Sequence, residues 1–282
     1  MNYVPVADGA KLYVEDFGDG PPILFICGGN LTHRSFDSQV AALAGRFRTI
    51  TFDWRGTGAS DKPRGGYNSD IAVADIRTLI EKLGAAPAVL VGHGLGAHLA
   101  LLLAHAHPDL VKGLFLTAAA PWFSGERDGA IGGVSDDFLR FMISQVSGNG
   151  SGVRVPYAQT CYELGEKWVF YAPQSPGVYQ DVLEQALAWP QYVLNAYANS
   201  MRDVDHRARL PLLGCPTLIA QGRHDHKQRY QGAVYMARMI PGARLHTFEN
   251  SATMANLEEV EAFNQALAEF VLELEARRQQ AA

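Results

Sequence analysis

Ala88-Val89-Leu90-Val91-Gly92-His93-Gly94-Leu95-Gly96-Ala97-His98-Leu99-Ala100 is the stretch on which the fold turns. An apolar run rich in Val and Leu stops at Gly92, and a run of Ala, Leu and His with helical character begins within four residues. The reading is strand, very sharp turn, helix. Glycines at 92 and 96 let a helix pack tightly over a strand end, and glycine at 94 accepts a backbone conformation that side chains resist.

Outward from this unit the pattern repeats. On the N-terminal side, strand signals fall at 3–6 and 11–15, joined by a turn at 7–10, then at 23–26 and 49–53. Helical spacing covers 36–44 and 69–83, with Ser69 or Asp70 as N-cap candidates and Gly84 as the stop. On the C-terminal side, strands are expected at 111–117, 216–222 and 243–248. Between 123 and 205 the alternation breaks down. Glycine-rich breaks at 129–133 and 147–152 separate helix-like stretches near 136–146, 157–171, 180–188 and 191–201. The class this implies is α/β, a mostly parallel sheet flanked by helices, interrupted by a helical insertion.

Composition limits the function classes. The 282 residues are 48% hydrophobic and 19% charged with net charge -5, which suits one large domain with an insertion. No run of Lys and Arg exceeds the terminal Arg277-Arg278 pair, so neither nucleic acid nor an anionic membrane is expected as a partner. No secretory signal or membrane span stands out, and Cys27, Cys161 and Cys215 lack metal-ligand spacing; a cytoplasmic protein with free thiols is expected. No metal or cofactor is expected, because His, Cys and carboxylates form no clustered ligand set and the glycine-rich turn lacks a phosphate-loop lysine. The expected partner is a small-molecule substrate or ligand, and a homodimer stays open.

The turn at 92–96 resembles the nucleophile elbow of the α/β-hydrolase family, G-x-S-x-G, with Gly94 at the serine position. The resemblance spans about residues 3–272. It covers Asp53-Trp54-Arg55-Gly56-Thr57-Gly58-Ala59-Ser60, which looks like the family's D-x-R-G-x-G-x-S loop and implies a structural turn. It also covers Gly222-Arg223-His224-Asp225, which implies that Asp225 is the triad acid. Asn250-Ser251-Ala252-Thr253-Met254 is similar to the N-S-G-H-M loop, with Thr253 at the catalytic histidine. Residues 1–122 and 206–282 are then the core domain and 123–205 a helical cap above the site. Cys27-Gly28-Gly29-Asn30 stands where relatives carry His-Gly-x, which implies an oxyanion hole built from the backbone N–H groups of Gly29 and Leu95.

Two missing triad members leave three readings, and natural divergence explains a double loss better than an inactivating substitution does. In the leading one the chain is a cofactor-independent, non-hydrolytic enzyme acting on a small apolar carbonyl compound as an isomerase, cyclase, lyase or cofactor-free oxygenase. The oxyanion hole holds an enolate and Asp225 is the base. In the second, water is activated over Gly94 to hydrolyse an ester or lactone without a covalent intermediate. In the third, the chain binds a ligand and changes no bond. The substrate site is expected to include Asn30, His33, Gly94, Trp122, His224, Thr253 and Met254; among the histidines His33 and His224 are the candidate proton carriers, with exposed loop histidines the alternative for each. His93 is expected to pack below the turn, and the aromatics of 123–205 imply an apolar ligand.

Overall fold

The structure, a computed structural model, describes residues 2–123, 133–135, 137–138, 140–141 and 157–281. The Val- and Leu-rich runs become eight strands of one sheet: β1 (Tyr3–Pro5), β2 (Lys11–Phe17), β3 (Pro22–Ile26), β4 (Arg48–Phe52), β5 (Ala88–His93), β6 (Val111–Thr117), β7 (Thr217–Gly222) and β8 (Arg244–Phe248). Their order is β1-β2-β4-β3-β5-β6-β7-β8. The pairs β1-β2 and β2-β4 are antiparallel and the rest parallel. Every residue of β5 is buried, as a central strand covered on both faces requires.

Helices α1 (Asp37–Leu43), α2 (Ser69–Lys82) and α3 (Leu95–Ala106) alternate with the first strands. Three more, α4 (Tyr157–Leu164), α5 (Pro176–Leu187) and α6 (Gln191–Met201), lie between β6 and β7 in the chain. Then come α7 (Tyr230–Met239), α8 (Ala255–Glu258) and α9 (Val260–Ala281). The cap of α2 is Asn68, one residue before the expected candidates: its side chain accepts from the Ile71 N–H, the geometry that favours Asn in the extended position before a first turn. The stretch expected to be helical over 157–171 divides instead, α4 passing into a π-turn at Gly165–Val169. The helix expected at 136–146 and the breaks at 129–133 and 147–152 lie largely outside the described residues.

Two features place the site. Chain direction across the sheet reverses between β3 and β5, so the carboxyl ends of these neighbours open a crevice at the switch point. Helix α3 starts directly on β3: a Cβ at Gly96 would lie 2.1 Å from the carbonyl oxygen of Ile26. The helices between β6 and β7 are fastened to the sheet by an aromatic cluster, with Trp54 5.4 Å from Trp189 and 5.1 Å from Tyr197, all fully buried or nearly so. Arg55 extends this anchorage, forming paired 2.8 Å bonds to Asp75 on α2 and reaching Asp8 near the N-terminus. No helix among the described residues is long and apolar enough to cross a membrane.

Candidate functional site

A cavity of about 260 Å³ opens over the turn between β5 and α3. Its floor is Gly28, Gly29 and Asn30 after β3, and His93, Gly94 and Leu95 at the turn. Gly94 sits at φ 54° and ψ -114°, a conformation that costs a non-glycine residue about 1–3 kcal/mol. Space is not what excludes a side chain there, because a Cβ would meet only the Gly28 Cα at 3.9 Å. The Gly94 N–H is spent on the Thr117 carbonyl at 3.0 Å. By contrast, neither Gly29 nor Leu95 donates in any of the turn and loop backbone bonds, and Leu95 opens a helix, where N–H groups lack intrahelical partners.

The walls are mainly apolar. Leu164 of α4, and Leu194, Asn195 and Ala198 of α6, face the floor, and Phe123, Val134 and Phe138 close one side. Lys227 and Gln228 complete the lining. They stand on the loop after β7, held to the opposite wall by a bridge between Val134 and Gln228 and by a 3.0 Å bond from the Ser135 N–H to the Lys227 carbonyl.

Asp225 lies on the same loop, turned away from this cavity. Its Oδ1 accepts from the N–H groups of Lys227 (3.0 Å) and Gln228 (2.8 Å) and from the Thr253 hydroxyl (2.9 Å), while Oδ2 accepts from Gln221 Nε2 (2.9 Å). Burial raises its pKa to about 6, against the pull of these hydrogen bonds. The carboxylate edges a separate, larger depression of about 650 Å³, among Lys167, Arg223 and Arg229. That hollow lies away from Gly94, and Lys167 and Arg223 are already paired with Glu163 and Glu249.

His93 is 3% exposed, and its Nε2 lies 2.9 Å from the Thr253 carbonyl. Burial lowers its pKa to about 4, so the ring is neutral, with the proton on Nε2 donated to that carbonyl. The other nitrogen, Nδ1, is buried without a partner and is overlain by Gly28, where a Cβ would approach it to 2.5 Å. The ring is packed into the floor below the turn, with no exposed nitrogen to offer the cavity.

Of the residues singled out from sequence, Gly29, Asn30, Gly94 and Leu95 come together on the cavity floor. The others do not line it. His33 is drawn aside by Asp53, 2.9 Å from its Nδ1, into a hollow shared with Glu15, Arg34 and Asp37. His224 stacks on Tyr171 with ring centres 3.7 Å apart, and its N–H donates to Ser251. Trp122 is fully buried under the guanidinium of Arg207. Met254 is buried too, its N–H donating to the Val169 carbonyl. Thr253 is 1% exposed and bound to Asp225. Lys227, Gln228, Asn195 and Phe123 were missed. Lys227 was within reach, two positions after the Asp225 that drew attention to the loop.

A mostly parallel sheet with its crevice at the β3–β5 switch point and a glycine turn into α3 defines a protein of the α/β-hydrolase class. Residues 21–260 match the alpha/beta hydrolase fold, and the chain belongs to this family. It is 32% identical over 272 residues to the AB hydrolase superfamily protein YisY of Bacillus subtilis, covering 95% of this chain and 98% of the relative. It is 27% identical to a non-heme chloroperoxidase of Streptomyces lividans over 88% of this chain and 91% of that one. Among solved structures, an esterase from Exiguobacterium antarcticum superposes with a TM-score of 0.86 at 29% identity, covering 96% of this chain and 98% of its own.

Proposed function

We propose that the chain is a cofactor-independent enzyme that works without an acyl-enzyme, binding a small apolar carbonyl compound over Gly94. Negative charge developing on the carbonyl oxygen is taken by the backbone N–H groups of Gly29 and Leu95. One observation carries this reading: the cavity floor keeps two uncommitted N–H donors while position 94 offers no nucleophile. Asp225, expected from the sequence as the base, carries four hydrogen bonds and lies outside the cavity lining, and this reading gives it no base role. Reactions that draw the electron pair from a bond within the substrate fit better than those needing a side-chain base. Cleavage of the Cα–Cβ bond of a β-hydroxy carbonyl compound is such a reaction: the hydroxyl proton passes to water as its C–O becomes C=O, the Cα–Cβ electron pair becomes an enolate held by the two N–H groups, and water returns a proton to Cα.

Hydrolysis by a water over Gly94 is the second reading, and the space at that position supports it. The names of the relatives, hydrolase and peroxidase, accommodate it equally. Binding without turnover is the third, supported by the engaged state of Asp225.

The test is a paired assay of the protein and of a Gly94→Ser, Thr253→His double variant. Chromogenic short-chain esters and lactones report hydrolysis, and the aldol adduct of benzaldehyde and acetone reports carbon–carbon cleavage as released benzaldehyde. Cleavage of the adduct by the natural protein with no ester turnover is expected. Ester hydrolysis by the natural protein overturns the proposal in favour of water activation, and saturable binding with no turnover of either kind replaces it with a ligand-binding role.

A further inference from the structure

Lys227 is the one residue with a cationic side chain among the described residues that line the cavity. The other polar contributions come from the neutral amides Asn30, Asn195 and Gln228 and from the sealed ring of His93. No carboxylate of the described residues stands within ion-pair distance of the Lys227 ammonium. Its contact is the face of Phe138, 5.2 Å from Nζ to the ring centre. The nearest acid in sequence, Asp225, takes the Lys227 backbone N–H at Oδ1 and fills its remaining acceptor sites with Gln221, Gln228 and Thr253, leaving no direct bond to the ammonium.

An ammonium that gives up water for the face of Phe138 at the edge of an apolar cavity is costly unless something compensates its lost hydration. A cation–π contact returns a part, about 0.5–2 kcal/mol. Burial accordingly lowers the pKa of Lys227, with the charge of Asp225 working in the opposite direction. The lysine is also fixed from its backbone: its N–H is bound to Asp225, its carbonyl to Ser135, and its neighbour Gln228 bridges to Val134. A surface lysine has no use for such positioning, whereas a ligand anchor does.

We propose that Lys227 binds a carboxylate of the ligand, so that the substrate class is a small carboxylic acid with an apolar body and a carbonyl group. The body lies against Leu164 and Leu194, with the carboxylate at the Phe138–Lys227 end and the carbonyl over Gly94. This deepens the reading above and rests on its cavity, yet it concerns binding and not turnover.

The test uses hydrocinnamate and its neutral isostere hydrocinnamide, titrated into the intact protein and followed by chemical-shift changes or calorimetry. A charge-assisted hydrogen bond in an apolar site should make hydrocinnamate bind about 10- to 100-fold more tightly than the amide. Lys227→Met should erase that preference while leaving the amide's affinity within about threefold, and Lys227→Arg should retain part of it. Equal affinities for the two compounds in the natural protein, or no detectable binding of hydrocinnamate, overturn the proposal without any variant having to fold. A preference that persists in a folded Lys227→Met protein overturns it as well. Because the readout is affinity, failure of the enzymatic reading leaves the outcome unaffected: a protein that cleaves nothing still shows or lacks the carboxylate preference.

Discussion

The hydroxyl of Thr253 donates to Oδ1 of Asp225 at 2.9 Å, and the carbonyl of the same threonine takes the Nε2 proton of His93 at 2.9 Å. One residue therefore occupies the acid and supports the turn that carries Gly94. Thr253 thus ties the buried carboxylate to the turn as a structural clasp. Thr253→Ala removes one donor from a buried carboxylate that keeps two backbone N–H bonds and Gln221. The Asp225 pKa should rise above about 6, and stability at neutral pH should fall by about 1–2 kcal/mol, as read by carboxyl carbon NMR and urea titration. An unmoved titration would show that the hydroxyl bond is not formed in solution.

Asp225 also fixes a sign. Its folded pKa, about 6, lies above its ordinary value of 3.8, so the native state holds the proton where the unfolded chain has released it. Through this group stability is greatest below about pH 4, declines as pH rises to about 6, and is then flat, a loss of about 3 kcal/mol. Asp225→Asn should abolish this component. The difference between natural and variant stability, measured by denaturant titration from pH 4 to pH 7, should slope downward with pH. A flat difference would contradict the burial that raises the pKa.

Buried histidines work against this. His98 Nδ1 lies 3.0 Å from His206 Nε2 with the rings stacked, and burial lowers the pKa of both, that of His98 to about 4. Their folded pKa values lie below the ordinary 6.5, so the unfolded chain gains protons first as pH falls. Stability from this pair is complete above about pH 6.5 and is lost toward pH 4, by about 3 kcal/mol for His98 alone. A His98→Gln, His206→Gln protein should be less stable at pH 7.5 but lose less between pH 7 and pH 5. An equal acid loss in both proteins would place the pair's titration elsewhere.

What was legible in the chain was local. The β5–turn–α3 unit could be read because a continuous apolar run, a glycine turn and an apolar helix follow one another within thirteen residues. The floor of the cavity followed from it, since Gly28, Gly29, Asn30 and Leu95 are set by the ends of adjacent strands. His33 was misplaced for a nonlocal reason: Asp53, twenty residues on, binds both its N–H and its ring. Likewise, nothing near Asp225 in the chain announces that the hydroxyl of Thr253, twenty-eight residues on, will be one of its partners. The setting of Lys227 depends on Phe138, almost ninety residues away, over whose ring its ammonium lies. Pairing across that distance leaves no periodic trace.

Two glycines of the turn should respond differently to the same change. At Gly94 an added methyl meets open space, so Gly94→Ala incurs only the backbone strain, about 1–3 kcal/mol, with the fold kept. At Gly96 the methyl would sit 2.1 Å from the Ile26 carbonyl and 2.6 Å from that of Cys27, and relief requires moving α3 off β3. Gly96→Ala should lose more than about 4 kcal/mol or fail to fold. Similar urea midpoints for the two variants would mean that α3 packs less closely on the sheet than it does here.

The loop that carries Gly29 is braced from the helical side. Gln185 of α5 accepts the Thr32 N–H at 3.1 Å and its hydroxyl at 3.3 Å, and the indole N–H of Trp189 reaches the Leu31 carbonyl at 2.5 Å. Gln185 is 1% exposed, so Gln185→Met keeps the volume but leaves the Thr32 N–H buried without an acceptor, at about 1–3 kcal/mol. If the Gly29 N–H is held in place by this brace, the effect extends beyond stability. Amide exchange at Leu31, Thr32 and His33 should quicken more than at β5, and affinity for a carbonyl ligand should fall even at temperatures where the variant is fully folded. Uniform acceleration of exchange across the sheet would instead mark Gln185 as a general contributor to the core, with no particular hold on the floor of the cavity.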